Sequence, residues 1–317
     1  LNMPHFLASY PLLYKDQEHV ARHRFVALYL PFFLVALCIY AVLTPDMGLR
    51  GPGLANSSVV HFFGVTTTLL LAWHYTGQSW GMVASFSFIS GIRIDKTERA
   101  LMRIGLHALL VWHLLWGLRQ MFGPLEPDPA TPTMAWVDSL RVAAPQLFPL
   151  VEQAYNVWSI VALLTIPVGV AGFVRLYRRT GKRLPWRVVA PWAATYFWYL
   201  LLWAHPGVFL LVQIFHAVQY LGFPFRVEAN EFVQKNPDQA HRQRAHVFIY
   251  YLVLFGIGLV IYGVPQLAVF MGDKGLAIHA IVAGFVNLHH YFIDGVIWKI
   301  RNPRVQRAIF AHLKPAA

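Results

Sequence analysis

Several uninterrupted apolar runs, each close to the roughly 20 residues that cross a bilayer, constrain this chain more than any other feature. The first is Phe25 to Thr44, "FVALYLPFFLVALCIYAVLT". In hydrocarbon a backbone must satisfy its own polar groups, so runs of this kind fold as helices. Eight are expected: 25–44, 59–90, 100–122, 154–175, 188–204, 206–225, 246–270 and 275–298. The fold class that follows is all-α: a polytopic integral membrane protein with about eight transmembrane helices, forming a single membrane-embedded domain over residues 1–317. Composition agrees. Charged residues make up 13% of the chain, against about 25% in soluble domains.

Local signals sharpen the boundaries. Asp95 and Glu98 stand three apart at the head of the third run, the spacing of a capping box. His205-Pro206 separates the fifth run from the sixth, because the residue before proline avoids helix. Gly123 to Gln153 reads as an outer loop, and Arg226 to Ala245 as a polar cytoplasmic connection. The first 24 residues read as a polar lead-in of mixed charge, not as a signal peptide.

Basic residues give the orientation. With the N-terminus inside, 22 of the 26 lysines and arginines fall on cytoplasmic segments, the asymmetry of the positive-inside rule. Both termini are therefore expected in the cytoplasm, and a bacterial inner membrane is the expected location. The same distribution accounts for the net charge of +12 without a nucleic-acid partner. The one cysteine, Cys38, rules out an intrachain disulfide and a thiolate metal cluster, so any metal must be held by His, carboxylate or amide groups.

Ionisable groups at bilayer depth are costly and mark function. On the second run His74 and Gln78 lie one turn apart. On the sixth, His216 is followed by Gln219 and Tyr220. On the eighth, His290 and Asp294 share a face at i, i+4, while His289 points about 100° away. At ~1.5 Å per residue, His216 and His290 both sit on the order of 12–15 Å from the cytoplasmic end. One imidazole of this kind is ordinary interhelical glue. Three at a common depth, each with an amide, phenol or carboxylate nearby, point to a metal site. His74, His216 and His290 are the leading ligand candidates. His61, His289 and Asp294 follow, and Gln78, Gln219 and Tyr220 are candidates to orient the ligands. Imidazole with carboxylate suits iron, and also zinc or manganese.

This constellation resembles the bacterial membrane-bound carotene dioxygenases of the Brp/Blh type, and more broadly the His-rich membrane iron oxygenases. The resemblance implies non-haem iron held by histidines from several helices and an apolar substrate, such as a carotenoid or fatty acyl chain, taken from the inner leaflet. The HxxHH boxes of membrane desaturases do not occur here. Two other functions fit the same residues. A di-haem b-type electron carrier would use His205 with His279 for an outer haem and His216 with His290 for an inner one, the two pairs ~16 Å apart along the helices, somewhat short for two stacked haems. A non-catalytic subunit of a larger membrane complex would use its histidines for helix contacts or pigment. A redox partner or larger assembly is expected if iron is present.

Overall fold

A computed structural model describes residues 2–15, 17–43, 58–122, 135–267, 273–298 and 309–310. All regular structure among these residues is helical. Among the described residues four helical stretches are long and apolar enough to cross a membrane: Lys96–Gln120, Leu147–Thr180, Pro237–Gly263 and Ile278–Ile297. Four of the expected eight are therefore matched by length and hydropathy. The second run does form one long helix, Ser58–Ile89 (α4), but its Thr66, Thr67, Thr68, His74, Gln78 and serines dilute its apolar character. The fifth, Trp186–Ala204 (α8), is rich in Trp and Tyr rather than aliphatic residues. The sixth, Phe209–Lys235 (α9), carries charge in its last turns and runs well past residue 225. The first run is interrupted by a π-helical turn, Phe25–Tyr29, before Leu30–Leu43 (α3).

The chain packs as two compact units, one formed by Leu1–Thr67 with His205–Ala317 and the other by Thr68–Ala204. In the second unit the C-terminal part of α4 packs with Lys96–Phe122 (α5), Leu147–Thr180 (α7) and α8 around Met102, Leu109, Trp112, Leu176, Trp192 and Tyr199. Close approach needs Gly169, where a Cβ would collide with the Trp192 ring. Trp192 Nε1 in turn donates to the Met102 carbonyl at 3.0 Å. A short helix, Ala135–Ala143 (α6), precedes α7 within the stretch expected to be an outer loop. Aliphatic side chains such as Val157, Ile160 and Leu164 stand on the outside of α7, each at least 60% exposed, which suits a lipid surround rather than water.

The expected capping box is present. The Glu98 amide donates to Asp95 Oδ1 at 2.7 Å, and the Asp95 amide donates to Glu98 Oε2 at 2.8 Å. The Glu98 amide N–H, and then Arg175 and Arg179, hold the Asp95 carboxyl below its ordinary range. Arg179 adds a two-pronged contact to Glu98, Nε to Oε1 at 2.7 Å and an Nη to Oε2 at 2.8 Å. The clamp joins the start of α5 to the end of α7, and the Glu98 side chain is fully buried. Glu98→Gln removes the charge while keeping the shape. It should lower stability by about 1–3 kcal/mol, seen as a reduced thermal midpoint of the detergent-solubilised chain. An unchanged midpoint would show that the clamp contributes nothing.

In the first unit, Asn2–Tyr14 forms helix α1, followed by Gln17–Arg22 (α2), the π turn and α3. After α9 come a 3₁₀ segment, Pro237–Arg242, then Gln243–Gly258 (α10), a second π turn, Leu259–Gly263, and Val264–Leu267 (α11). Asp273–Ile297 (α12) ends the series. The segment expected as a polar connection, 226–245, is thus mostly helical. Its two glutamates have partners: Glu231 accepts from Lys15 at 2.6 Å, and Glu228 pairs with His246 at 2.9 Å.

The polar lead-in expected over the first 24 residues is corrected here. All of its charges lie between Lys15 and Arg24, so residues 1–14 are uncharged. That uncharged part packs as α1 against α9, α10 and α12. Leu7 and Ala8 join one buried cluster with Tyr220, Leu221 and Leu254. Leu13 joins another with Val26, Ile293 and Ile297.

Candidate metal centre

Three helices of the first unit each present a pair of polar side chains at i, i+4. These are His5 and Ser9 on α1, His216 and Tyr220 on α9, and His290 and Asp294 on α12. All six are buried. One helical turn sets each pair on a common face, and the packing of α1 against both α9 and α12 brings the faces together. His5 is in edge contact with His216 (ring centroids 4.9 Å), with Tyr220 (4.4 Å) and with His290 (4.6 Å).

Hydrogen-bond contacts place His290 between Ser9 and His5. Ser9 Oγ donates to the Phe6 carbonyl at 3.2 Å and lies 2.9 Å from His290 Nδ1. With its proton directed to Phe6, Ser9 can accept from His290 Nδ1–H. That tautomer leaves the Nε2 lone pair of His290 facing His5, whose own Nε2 is 3.2 Å away. Two nitrogens bound to one tetrahedral ion at ~2.0–2.1 Å stand about 3.3 Å apart, so the observed spacing fits a shared ion. His5 and His290 belong to a buried histidine group that could hold a metal ion. Asp294 Oδ2 lies 3.5 Å from His290 Nε2. Its Oδ1 accepts from the Tyr220 hydroxyl at 2.8 Å, and that hydroxyl accepts from Trp298 Nε1 at 3.0 Å.

His289 faces a different set of partners. Its Nε2 lies 2.9 Å from the Val26 carbonyl, which fixes the proton there, and its Nδ1 accepts from the Tyr10 hydroxyl at 3.1 Å. The π turn at 25–29 together with Pro31 explains the first bond: the Leu30 N–H goes to Phe25 O, and Pro31 has no N–H to give to Val26 O or Ala27 O. Widening the helix to i→i+5 frees carbonyls from their ordinary amide partners. Val26 O accepts from His289, and Ala27 O accepts from Tyr14 at 2.8 Å. Both ring nitrogens of His289 thus serve helix contact.

The other sequence candidates lie as follows. His216, Tyr220, His290 and Asp294 are brought together. Gln219 is half-buried, with Oε1 lacking a hydrogen-bond partner among the described residues. His74 and Gln78 are on α4 in the second unit, with His74 buried. The side chain of His61 lies outside the described residues. His205 is exposed in the turn before α9, and His279 is half-buried near the start of α12. His5, Ser9 and Tyr10 are absent from the sequence-based candidates. Their signal was available: an uncharged 14-residue segment with His5 and Ser9 at i, i+4.

Beside this cluster the first unit holds an apolar cavity of about 700 Å³. It is lined by α1 (Leu7, Tyr10, Tyr14), α3, α10 and α12 (Ile281, Phe285, Val286). Among the described residues no charged side chain borders it. Comparison with protein-family models, curated proteins and solved structures found no match.

Proposed function

We propose that this protein is an integral membrane oxidoreductase, a non-haem iron oxygenase acting on an apolar, lipid-like substrate. The observation that carries the reading is the convergence of His5, His216 and His290 from three helices, with His5 and His290 nitrogens at the separation of two ligands on one ion. Bound iron would supply activation of oxygen, chemistry that belongs to the metal. The chain's own residues hold and orient. Ser9 contacts His290 Nδ1, and Asp294, held by Tyr220, places a carboxyl group beside the imidazole pair. Such partners of metal-binding histidines fix ring orientation and raise basicity. Burial excludes water, and the neighbouring cavity favours an apolar substrate.

The resemblance to carotene dioxygenases supports the same choice of metal and substrate. The contact of one ring, His5, with both His216 and His290 supports a compact ion over a porphyrin at the inner position. The reading takes the chain to cross a bacterial inner membrane eight times, with both termini in the cytoplasm and a redox partner supplying electrons. The test is metal analysis with visible absorbance on one purified sample. Iron at one or two per chain without a Soret band is the expected result. A Soret band would overturn it in favour of a di-haem carrier. Protein free of metal and pigment would instead favour a non-catalytic subunit.

A further inference from the structure

Helix α1 separates two environments. His5 and Ser9 lie on the face that meets His290, while Leu7, Tyr10, Pro11 and Tyr14 lie on the opposite face and line the apolar cavity. On α12 the cavity residues Ile278, Ile281, Val282, Phe285 and Val286 form a stripe at helical spacing. Continued one turn, the stripe reaches His289, whose ring lies 6.0 Å from that of Phe285. The stripe ends there, because Tyr10 and Tyr14 pack on His289 at 5.2 and 6.4 Å between ring centroids. The bond from the Tyr10 hydroxyl to His289 Nδ1 holds this end together. At the rim, Val35 of α3 and Ile257 of α10 are exposed.

We propose that this cavity binds a single hydrocarbon chain lengthwise, and that the Tyr10 ring, held by His289, stops the chain and sets its length. The proposal deepens the reading of an oxygenase with a lipid-like substrate and rests on that reading for its link to catalysis. Three observations carry it. The volume falls within the ~300–1,000 Å³ of small-molecule sites. Among the described residues the lining offers no charged partner, so a headgroup belongs at the rim. Two of the lining helices, α10 and α12, belong to candidate membrane spans, so the surrounding medium is itself hydrocarbon. Tyr10 thereby becomes a specificity residue that faces the chain on one side while its helix presents His5 and Ser9 on the other.

The experiment uses the full chain in detergent with two families of photoreactive probes, unbranched fatty alcohols and polyisoprenoid alcohols, each with a diazirine at the tail end and graded in length. Labelled peptides are read by mass spectrometry. Labels clustered on residues 7–14 and 281–289, with a sharp fall above one chain length, are expected. Tyr10→Ala should move that limit to longer chains, whereas Tyr10→Phe, which keeps the ring, should leave it near the original. Val282→Trp, which fills the cavity, should cut labelling at least tenfold without changing metal content. The probe family that labels identifies the chain as acyl or isoprenoid. Equal labelling of outward residues such as Val253 and Val260, or a length limit unmoved by Tyr10→Ala, would overturn the proposal. Length-selective labelling of protein that binds no metal would retain the chain site and sink the oxygenase reading instead.

Discussion

His290→Ala should abolish most metal binding, lowering iron per chain by more than about tenfold. The expectation follows from position. His290 Nδ1 is committed to Ser9, so its Nε2 is the atom presented to His5, 3.2 Å away. Loss of a group that merely orients a ligand already costs 10–100-fold in affinity, and loss of a ligand itself should exceed that. His5→Ala should behave the same way, because the 3.2 Å spacing has two ends. His289→Ala provides the contrast. It leaves the Val26 carbonyl and the Tyr10 hydroxyl without their present partner, which costs about 1–3 kcal/mol per buried group. That variant should melt earlier and keep its metal. Metal analysis of the three variants beside thermal melts separates these outcomes. Full metal occupancy in His290→Ala, or loss confined to His289→Ala, would show that the adjacent imidazoles have been assigned the wrong way round.

The difference between these two neighbouring histidines shows what was legible in the sequence. A helix turns about 100° per residue, so "HH" had to split between two faces, and the i, i+4 partner of His290 had to be Asp294. The same rule put Gln219 and Tyr220 near the face of His216, and the capping box gave the start of α5. These are local properties of single helices. Which helices are neighbours is not local. Depth along the bilayer placed His216 and His290 in one layer, yet nothing in either helix indicated that α1 joins them. Here α1 was masked by averaging: the charges of residues 15–24 coloured a preceding segment that has none. The bond from His289 to Val26 O depends on a π turn before Pro31, and although that proline signals carbonyls without amide partners, it does not say which side chain will reach them. Hydropathy also blurred the span count, since Thr, His and Gln on α4 and the aromatic residues of α8 lower the score of long helices. Polar residues that build a site make the helix carrying them read as less membrane-like.

Asp294→Asn should weaken metal binding by about 10–100-fold with little loss of fold. The carboxylate has two separable jobs. Oδ1 receives the Tyr220 hydroxyl at 2.8 Å, which itself receives the Trp298 indole at 3.0 Å. Oδ2 stands 3.5 Å from His290 Nε2. Asparagine keeps a carbonyl oxygen for Tyr220, so the chain from Trp298 through Tyr220 persists, while the group beside the imidazole pair can no longer ionise to bind a cation. Tyr220→Phe makes the complementary change. It deprives Asp294 of a donor and the indole of an acceptor, at about 1–3 kcal/mol for each buried group left without a partner. The cost should appear mainly in thermal stability, with the smaller change in metal affinity. Calorimetric titration of the metal-stripped proteins with ferrous iron under anaerobic conditions, beside melts of the same samples, gives both quantities. If Asp294→Asn binds iron as tightly as the parent chain, the carboxylate acts only as an acceptor for Tyr220, and the charge requirement at the centre is met without it.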